Sequence, residues 1–284
     1  MLRNYYNLTK PGIIRGNAVT AVAGFLLASK GHINFGLLLA SLGGLLLIIA
    51  SACVFNNYVD RDIDRLMART KHRALAAGEI AGKTALIYAG LLGLAGAALL
   101  ALYTNLLTLA IALLGFFFYV VIYGFFKRRS VYGTIVGSVS GATPPVVGYC
   151  AVTNHFDSAA AILFMILVFW QMPHFYAIAM YRRDDYAIAR IPVLPIKKGM
   201  HAAKLQILLY IIAFTIAAAA LSLFDHAGYT YLVVAVFLGL TWLGFGLKNF
   251  SNDSDKFWGR KMFFVSLFVI TALSIVISLN AWLP

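Results

Sequence analysis

Nine segments of the sequence are apolar over lengths that could cross a lipid bilayer as helices. A membrane-spanning helix needs about 20 apolar residues, whereas a strand of a membrane barrel needs about 10 residues of alternating polarity. The segments lie at 12–29, 36–58, 83–103, 106–126, 131–152, 158–181, 203–224, 228–247 and 262–282. A hydrophobic content of 62% and a mean hydropathy of +0.85 agree with this pattern. The sequence therefore predicts an all-α integral membrane protein with one domain over residues 1–284.

The positive charge of the chain is distributed unevenly between these segments. Except for Lys30, every Lys and Arg lies in the N-terminus, in an alternate connection (59–82, 127–130, 182–202 or 248–261) or at an adjoining segment edge. Cytoplasmic loops of membrane proteins carry such an excess. The distribution predicts a cytoplasmic N-terminus and an external C-terminus. It accounts for the formal net charge of +13 without any nucleic-acid partner.

Three oxygen-bearing side chains lie one helical turn apart at the end of the second segment. Asn56, Asp60 and Asp64 are spaced i, i+4, i+8, which places them on one face of a helix. Mg²⁺ binds such oxygen ligands, usually one or two carboxylates completed by water and phosphate oxygens. The alternative is a charged juxtamembrane cap, but carboxylates at the membrane are costly and usually functional. The row predicts a metal site.

Cations follow this row and predict a site for a phosphate-bearing ligand. Guanidinium groups beside a metal ion can hold phosphate oxygens in pairs. Taken singly, each cation could also be an ordinary residue of a basic cytoplasmic loop. The predicted phosphate-binding residues are Arg61, Arg65, Arg69, Lys71, Arg73, Lys127 and Arg128.

The stretch "NNYVDRDIDR" resembles the N-x-x-x-D-x-x-x-D motif of the UbiA superfamily of intramembrane prenyltransferases. In that superfamily the motif binds Mg²⁺ and the prenyl diphosphate. The number of apolar segments and the predicted orientation match as well. The resemblance implies a bundle of transmembrane helices that encloses a central cavity, with Mg²⁺ as cofactor. It also implies catalytic roles for Asn56, Asp60 and Asp64.

Aromatic side chains on the fourth segment could stabilise the allylic cation that forms during prenyl transfer. Tyr119 and Tyr123 are one helical turn apart, and Lys127 continues the same face. A ring face contributes roughly 0.5–2 kcal/mol to a nearby cation. Ordinary packing is the alternative role for both tyrosines. Tyr123, the nearer to Lys127, is the predicted catalytic residue of the two.

The second half of the chain again places acids before a basic loop. Asp184 and Asp185 lie where the superfamily has a second Asp-rich motif, which implies a role as metal ligands. Most members have D-x-x-x-D at this point, but the chain has "WQMPHFYAIAMYRRDDY". The departure leaves open whether this pair holds a second Mg²⁺.

Three segments resemble the branch of the superfamily that modifies heme: "SVYGTIVGSVSGATPPVVGY", "WQMPHFYAIAMYR" and "IPVLPIKKG". The resemblance implies transfer of the farnesyl group of farnesyl diphosphate to a vinyl group of heme b. Water is added in the same reaction, giving heme O and diphosphate, so heme b is a substrate and not a cofactor. A bacterial inner-membrane location is implied, with heme A synthase or terminal oxidase assembly as partners.

His174 is the one histidine expected beside a cavity at membrane depth. A histidine inside a membrane span usually has a specific partner or function. With Trp170, one turn earlier, it is the predicted heme contact. The alternative is a structural histidine that forms a hydrogen bond between helices.

Two other functions fit parts of the sequence. A related prenyltransferase acting on an aromatic acid in quinone biosynthesis would share the first motif. An ion-coupled transporter would also use intramembrane carboxylates, but on broken helices near the midplane. The acids of this chain lie at the predicted cytoplasmic edge, which argues against transport.

Small residues and prolines predict how the segments pack. "GLLGLAG" and "GSVSG" are typical of closely packed membrane helices. Pro144 and Pro145 predict a break or bend in the fifth segment. Cys53 and Cys150 match no metal-ligand spacing and are predicted to be packing residues.

Overall fold

The computed structural model describes residues 2–248, 250 and 254–284, and within that range the regular elements are helices. Nine stretches of the described chain are long and apolar enough to cross a membrane. They are Pro11–Ser29, Phe35–Asp64, Gly82–Tyr103, Leu106–Phe126, Gly133–Thr153, Ser158–Tyr181, Met200–Leu223, Tyr229–Lys248 and Asp255–Trp282. The predicted all-α, multi-pass membrane fold is confirmed.

Fourteen α-helices are numbered in chain order. They are α1 (Leu2–Leu8), α2 (Pro11–Ser29), α3 (Phe35–Asp64), α4 (Gly82–Tyr103), α5 (Leu106–Phe117), α6 (Gly124–Phe126), α7 (Gly133–Gly141), α8 (Thr143–Thr153), α9 (Ser158–Tyr181), α10 (Arg183–Ile188), α11 (Leu194–Lys197), α12 (Met200–Leu223), α13 (Tyr229–Lys248) and α14 (Asp255–Leu279). A π-helix, Phe118–Tyr123, joins α5 to α6, and a 3₁₀ turn, Asn280–Trp282, follows α14.

Helix α3 extends farther than its apolar segment. The segment 36–58 ends where polar residues begin, but α3 continues through them to Asp64 and has 30 residues. Hydropathy indicates which residues can contact lipid, but not where the backbone hydrogen bonds of a helix end. It therefore underestimates the length of a helix that extends beyond the membrane. As a result, Asn56, Asp60 and Asp64 lie on one uninterrupted helix.

The predicted break in the fifth segment is confirmed. Helix α7 ends at Gly141, and α8 begins at Thr143 with Pro144 and Pro145 in its first turn. Proline is tolerated there because the first N–H groups of a helix have no intrahelical acceptor. Helix α9, in contrast, continues through Pro173 to Tyr181.

Glycines allow two pairs of helices to approach backbone to backbone. A Cβ on Gly24 of α2 would lie 2.0 Å from Pro145 O, and one on Gly148 of α8 would lie 2.0 Å from Ala21 O. Between α3 and α4, a Cβ on Gly96 would lie 2.6 Å from Gly44 O. Gly96 belongs to "GLLGLAG", so this pattern serves helix packing as predicted.

The largest buried side chains lie in the second half of the bundle. Trp242, Trp258, Tyr231 and Phe214 are each at most 1% exposed and belong to one cluster to which α2, α8, α9, α12, α13 and α14 contribute. Large apolar side chains such as Leu94, Leu102 and Phe237 instead point outward. Outward apolar faces are expected of helices that contact lipid.

Because consecutive spans alternate in direction, one end of the bundle gathers the chain's polar segments. We call it the polar end. It contains α1, residues 65–81, residues 127–132, residues 182–199 and Phe250, which follows α13. At the opposite end, the side chains of Asn34, Asn105 and Asp157 cap the starts of α3, α5 and α9.

Candidate active site

The last turns of α3 bring the Asn56–Asp60–Asp64 row to the polar end and bury it. The three residues are only 3%, 2% and 3% exposed as a whole. Carboxylates at a helix C-terminus face the negative end of the helix dipole, and burial adds a desolvation penalty. Such a row is stable only if positive charge lies beside it.

Asp60 receives that charge from the connection after α6. Lys127 Nζ donates to Asp60 Oδ2 at 2.5 Å, and Arg128 lies 3.6 Å from Oδ1. Arg128 also donates to Val59 O, in the second-last turn of α3. Burial alone would lower the pKa of Lys127, but Tyr123 and Asp60 beside it raise that pKa above its usual range, so the amine remains charged.

Asp64 pairs with Arg73 from the connection after α3. Arg73 donates to Asp64 Oδ2 at 2.8 Å and to Asn57 Oδ1 at 3.4 Å. Thr70 donates to the backbone carbonyl of Asp64 at 2.9 Å, which folds this connection back over the helix end. The pair is nearly shielded from water on the carboxylate side, since the side chain of Asp64 is 4% exposed.

Asn56 is contacted by a residue that the sequence did not identify as part of the site. Lys10, between α1 and α2, donates from Nζ to Asn56 Oδ1 at 2.6 Å. Tyr119 donates to the same oxygen at 3.4 Å. Burial, together with the nearby charges of Arg73 and Lys127, lowers the pKa of Lys10 to about 8.

Lys10 has a backbone conformation that suits this position. Its φ of 54° is left-handed, which is uncommon for a residue other than glycine. The turn closes α1 against α3, where Asn57 Nδ2 donates to Leu8 O at 2.8 Å. In the sequence, the only sign of this role is that Lys10 directly precedes Pro11.

The tyrosines predicted on the fourth segment lie on a π-helix and not on a regular α-helix. Tyr119 and Tyr123 stack with ring centroids 5.6 Å apart and planes at 17°. A π-helix has more residues per turn, so side chains four apart are closer to one face. Gly137, in the "GSVSG" pattern, makes room for Tyr123, because a Cβ there would lie 2.9 Å from its ring.

The structure divides the predicted phosphate-binding cations into two groups. Arg73, Lys127 and Arg128 contact the acidic row. Arg61 instead donates to Tyr58 O at 2.7 Å, and Arg65 donates to Ala76 O at 2.9 Å. The remaining two, Arg69 and Lys71, are exposed. Only part of the basic loop therefore lies at the site.

The predicted five-residue metal set is not gathered into one place. Asp184 is exposed and Asp185 half-buried at the start of α10. Within the described residues, no three His, Cys, Asp or Glu side chains are close enough to hold one metal ion. Helix α10 is nevertheless close to the site, since Tyr186 interacts electrostatically with Lys127. The residues that follow α10 and Arg128 line a cleft of about 240 Å³ against the end of α3.

The acidic row itself fits a hard cation. Asp60 Oδ1 is fully enclosed and accepts no hydrogen bond within the described chain. An enclosed carboxylate oxygen without a donor is costly and is a natural metal ligand. Asn56 and Asp64 add oxygens from the adjacent turns, and Mg²⁺ commonly completes its shell with water and phosphate oxygens. Asn56, Asp60 and Asp64 are therefore the residues that could hold Mg²⁺.

His174 and Trp170 lie apart from this row, between α9 and α14. His174 is 9% exposed and stacks on Trp170 with centroids 4.7 Å apart. His174 Nδ1 lies 2.8 Å from Ser266 Oγ, and Trp170 Nε1 donates to Ser266 O at 2.8 Å. Helix α9 remains continuous through Pro173, so His174 and Tyr181 lie on the same face of it. Both contact the ring of Phe263.

A transmembrane bundle with a buried carboxylate row among lysines and arginines is the arrangement expected of a membrane enzyme that handles phosphorylated substrates. The model of the UbiA prenyltransferase family matches residues 17–268. The chain therefore belongs to the UbiA prenyltransferase family, and it is a membrane-embedded prenyltransferase. The transporter alternative is rejected by this membership.

Within the UbiA family, the chain is similar over its full length to curated protoheme IX farnesyltransferases. The chain is 52% identical to protoheme IX farnesyltransferase of Photorhabdus laumondii and 53% identical to that of Cronobacter sakazakii, in both cases over 100% of this chain and 97% of the relative. It is 53% identical to protoheme IX farnesyltransferase of Protochlamydia amoebophila over 98% of each chain.

Solved structures share the fold at low identity. A structure of digeranylgeranylglyceryl phosphate synthase superposes with a TM-score of 0.80 at 18% identity, covering 99% of this chain and 98% of the other. A UbiA homologue from Archaeoglobus fulgidus bound to GPP and Mg²⁺ superposes with a TM-score of 0.61 at 17% identity, covering 96% and 99%. Their likeness supports the UbiA-type architecture of the bundle.

Proposed function

We propose that this prenyltransferase transfers the farnesyl group of farnesyl diphosphate to a vinyl group of heme b. The bond between farnesyl C1 and the diphosphate oxygen breaks, and the vinyl π electrons form the new carbon–carbon bond to C1. A water oxygen then adds to the vinyl carbon next to the pyrrole ring and a proton is released. The products are heme O and diphosphate.

The observation that carries this proposal is the buried Asn56–Asp60–Asp64 row, which lies among cations in a chain similar over its full length to protoheme IX farnesyltransferases. The carboxylate row explains how the diphosphate could be bound, but it does not identify the acceptor of the farnesyl group. Identity above 50% over whole chains supports heme b over an aromatic acid. The two arguments are independent, and they support different halves of the reaction.

The cations at the row are placed to exchange partners when the diphosphate binds. Two carboxylates lie among four cations, so the site carries excess positive charge without substrate. The four cations are Lys10, Arg73, Lys127 and Arg128. An incoming diphosphate offers more negative oxygens than the row does, so each cation can move from a side-chain oxygen to a phosphate oxygen. Positive charge preorganised at the leaving group lowers the barrier to its departure.

The metal assignment rests on the same row. When bound, Mg²⁺ supplies positive charge that stabilises the departing diphosphate. Asn56, Asp60 and Asp64 would hold it, and Asp60 Oδ1 is the oxygen that the protein leaves without a donor. Arg61, Arg65, Arg69 and Lys71 would then act on the approaching substrate or at the membrane surface. A metal site at Asp184 and Asp185 has no comparable support.

The allylic cation would form beside the stacked tyrosines. Tyr119 bonds Asn56, and Tyr123 lies next to Lys127, with the amine 5.8 Å from the ring centroid. Both rings therefore adjoin the place where the diphosphate leaves. Their faces stabilise positive charge, and the surrounding apolar helices limit attack by water before the carbon–carbon bond has formed.

The acceptor would lie toward α9 and α14. Trp170 and His174 are the side chains proposed to contact heme b, since their stacked rings offer an aromatic surface at membrane depth. The protein would lie in the inner membrane of a bacterium, with its polar end facing the cytoplasm. The concentration of Lys and Arg at that end favours this orientation. Heme A synthase or a terminal oxidase would receive the product.

A direct assay tests the proposal. The purified protein in lipid nanodiscs is given farnesyl diphosphate, Mg²⁺ and either heme b or 4-hydroxybenzoate, and products are identified by mass spectrometry. The expected result is a heme product heavier by one farnesyl group and one hydroxyl group, with no prenylated 4-hydroxybenzoate. The reverse result would overturn the heme assignment and leave only the family-level activity.

A further inference from the structure

The protonation of His174 can be assigned from Ser266. Ser266 Oγ donates to Phe263 O at 2.6 Å. A serine hydroxyl has a single proton, so with that proton directed to Phe263 O, Ser266 accepts in its 2.8 Å contact with His174 Nδ1. His174 Nδ1 must then carry a hydrogen. In the neutral ring, Nε2 is left with a lone pair.

That nitrogen has no partner within the described protein and is not completely enclosed by it. Nε2 has no hydrogen-bond partner among the described residues, yet it is not one of their fully enclosed unpartnered atoms, which are Asp60 Oδ1 and Trp242 Nε1. A neutral imidazole with Nδ1–H bonded and Nε2 free is the form that binds transition metals.

The ring is also fixed in orientation. Trp170 stacks on one side of His174, and Phe263 lies with its centroid 5.0 Å from the imidazole centroid. Ser266 is fully buried and holds both aromatic residues, accepting from His174 through its hydroxyl and from Trp170 Nε1 through its backbone carbonyl. Two helices therefore determine the direction of the Nε2 lone pair.

We infer that His174 Nε2 coordinates the iron of heme b as an axial ligand and that Ser266 is the positioning residue that sets its tautomer. The inference rests on the proposed function, because heme b is the acceptor there. Coordination of the iron would hold the porphyrin against α9 and α14 during the reaction. No step of the chemistry requires the iron to change its oxidation state.

Ligand binding to variants tests the inference without reference to turnover. Ferric heme b and metal-free protoporphyrin IX are titrated into the wild-type protein and into His174→Asn. The asparagine amide can still donate to Ser266, but it has no counterpart of Nε2. We expect heme affinity to fall by at least about tenfold in the variant, with protoporphyrin affinity unchanged. The ferrous iron–histidine stretch in resonance Raman spectra should disappear.

Ser266→Ala gives a readout that a purely structural role would not change. Loss of the acceptor at Nδ1 makes the imidazole a weaker donor to iron, so the iron–histidine stretch should shift to lower frequency while coordination remains. His226→Ala is the matched control, since His226 Nε2 also contacts a serine, Ser158, at 2.7 Å but at the other end of the bundle. It should bind heme as the wild type does.

The failure of this inference can be distinguished from failure of the proposed function. Should His174→Asn bind heme with wild-type affinity and spectrum while the wild type produces heme O, the iron ligand is not His174 and the function stands. Should His174→Asn unfold, His174→Gln provides the same measurement with a longer amide. If the wild type forms no heme O, the proposed function itself fails.

Discussion

Lys10 Nζ lies 2.6 Å from Asn56 Oδ1, which joins two residues 46 positions apart in the chain. The contact brings the N-terminal turn onto the first member of the acidic row. It adds a buried cation from the N-terminus to the site, whereas the sequence indicated only cations that follow the row in the chain. The N-terminus is therefore part of the site and not only a topological signal.

Replacement of Lys10 by Met should weaken binding of farnesyl diphosphate by about 10–100-fold, because a hydrogen bond to a charged group contributes about 1.5–3 kcal/mol. Lys30→Met is a matched control. Lys30 also has a left-handed backbone, with φ of 45°, but lies at the opposite end of the bundle. Titration of each variant with a non-hydrolysable farnesyl diphosphate analogue measures the effect. Equal affinities in the two variants would remove Lys10 from the site.

Asp60→Asn and Asp64→Asn should each lower kcat/KM by about 100-fold or more, because each removes a negative oxygen from the proposed metal site and leaves a buried cation unpaired. Asp62→Asn is the control on the same helical turn. Asp62 is exposed, and its only described ion pair is with Arg61 at 3.9 Å. Steady-state kinetics in nanodiscs distinguish these variants. Near-normal turnover in Asp60→Asn would refute the role of the row.

Arg73→Ala should reduce turnover by about 10–100-fold, whereas Arg69→Ala and Lys71→Ala should remain within about twofold of the wild type. The difference follows from position, since Arg73 pairs with Asp64 and the other two side chains are exposed. Parallel kinetic measurements on the three variants, with membrane insertion checked by expression level, test this. A loss shared equally by all three would mean that the whole loop closes over the substrate.

Mg²⁺ and the diphosphate should bind cooperatively. Lys10, Arg73 and Lys127 occupy oxygens of the row, so Mg²⁺ alone must displace them, whereas the diphosphate gives those cations new partners. Calorimetric titration should show Mg²⁺ binding at least about tenfold tighter with the farnesyl diphosphate analogue than without it. Chelation of Mg²⁺ should stop turnover reversibly. Equal Mg²⁺ affinity with and without the analogue would contradict the exchange of partners.

Local patterns predicted much of the architecture. Long apolar segments identified nine spans, Pro144 and Pro145 identified the break between α7 and α8, and the four-residue spacing placed Asn56, Asp60 and Asp64 on one face. Each of these features depends on residues within a few turns of one another. Hydropathy and helical periodicity are read over that distance, so the sequence contains them directly.

Other features of the site depend on how distant segments pack. Ser266 and His174 are 92 positions apart, and Lys127 and Asp60 are 67 apart. Neighbouring cations such as Arg69 and Arg73 are chemically alike in the sequence, but only one of them faces a carboxylate. Spacing along a helix determines the direction in which a side chain points. Which group it meets depends on the crossing of helices, and in this protein the folded structure decided which residues form the site.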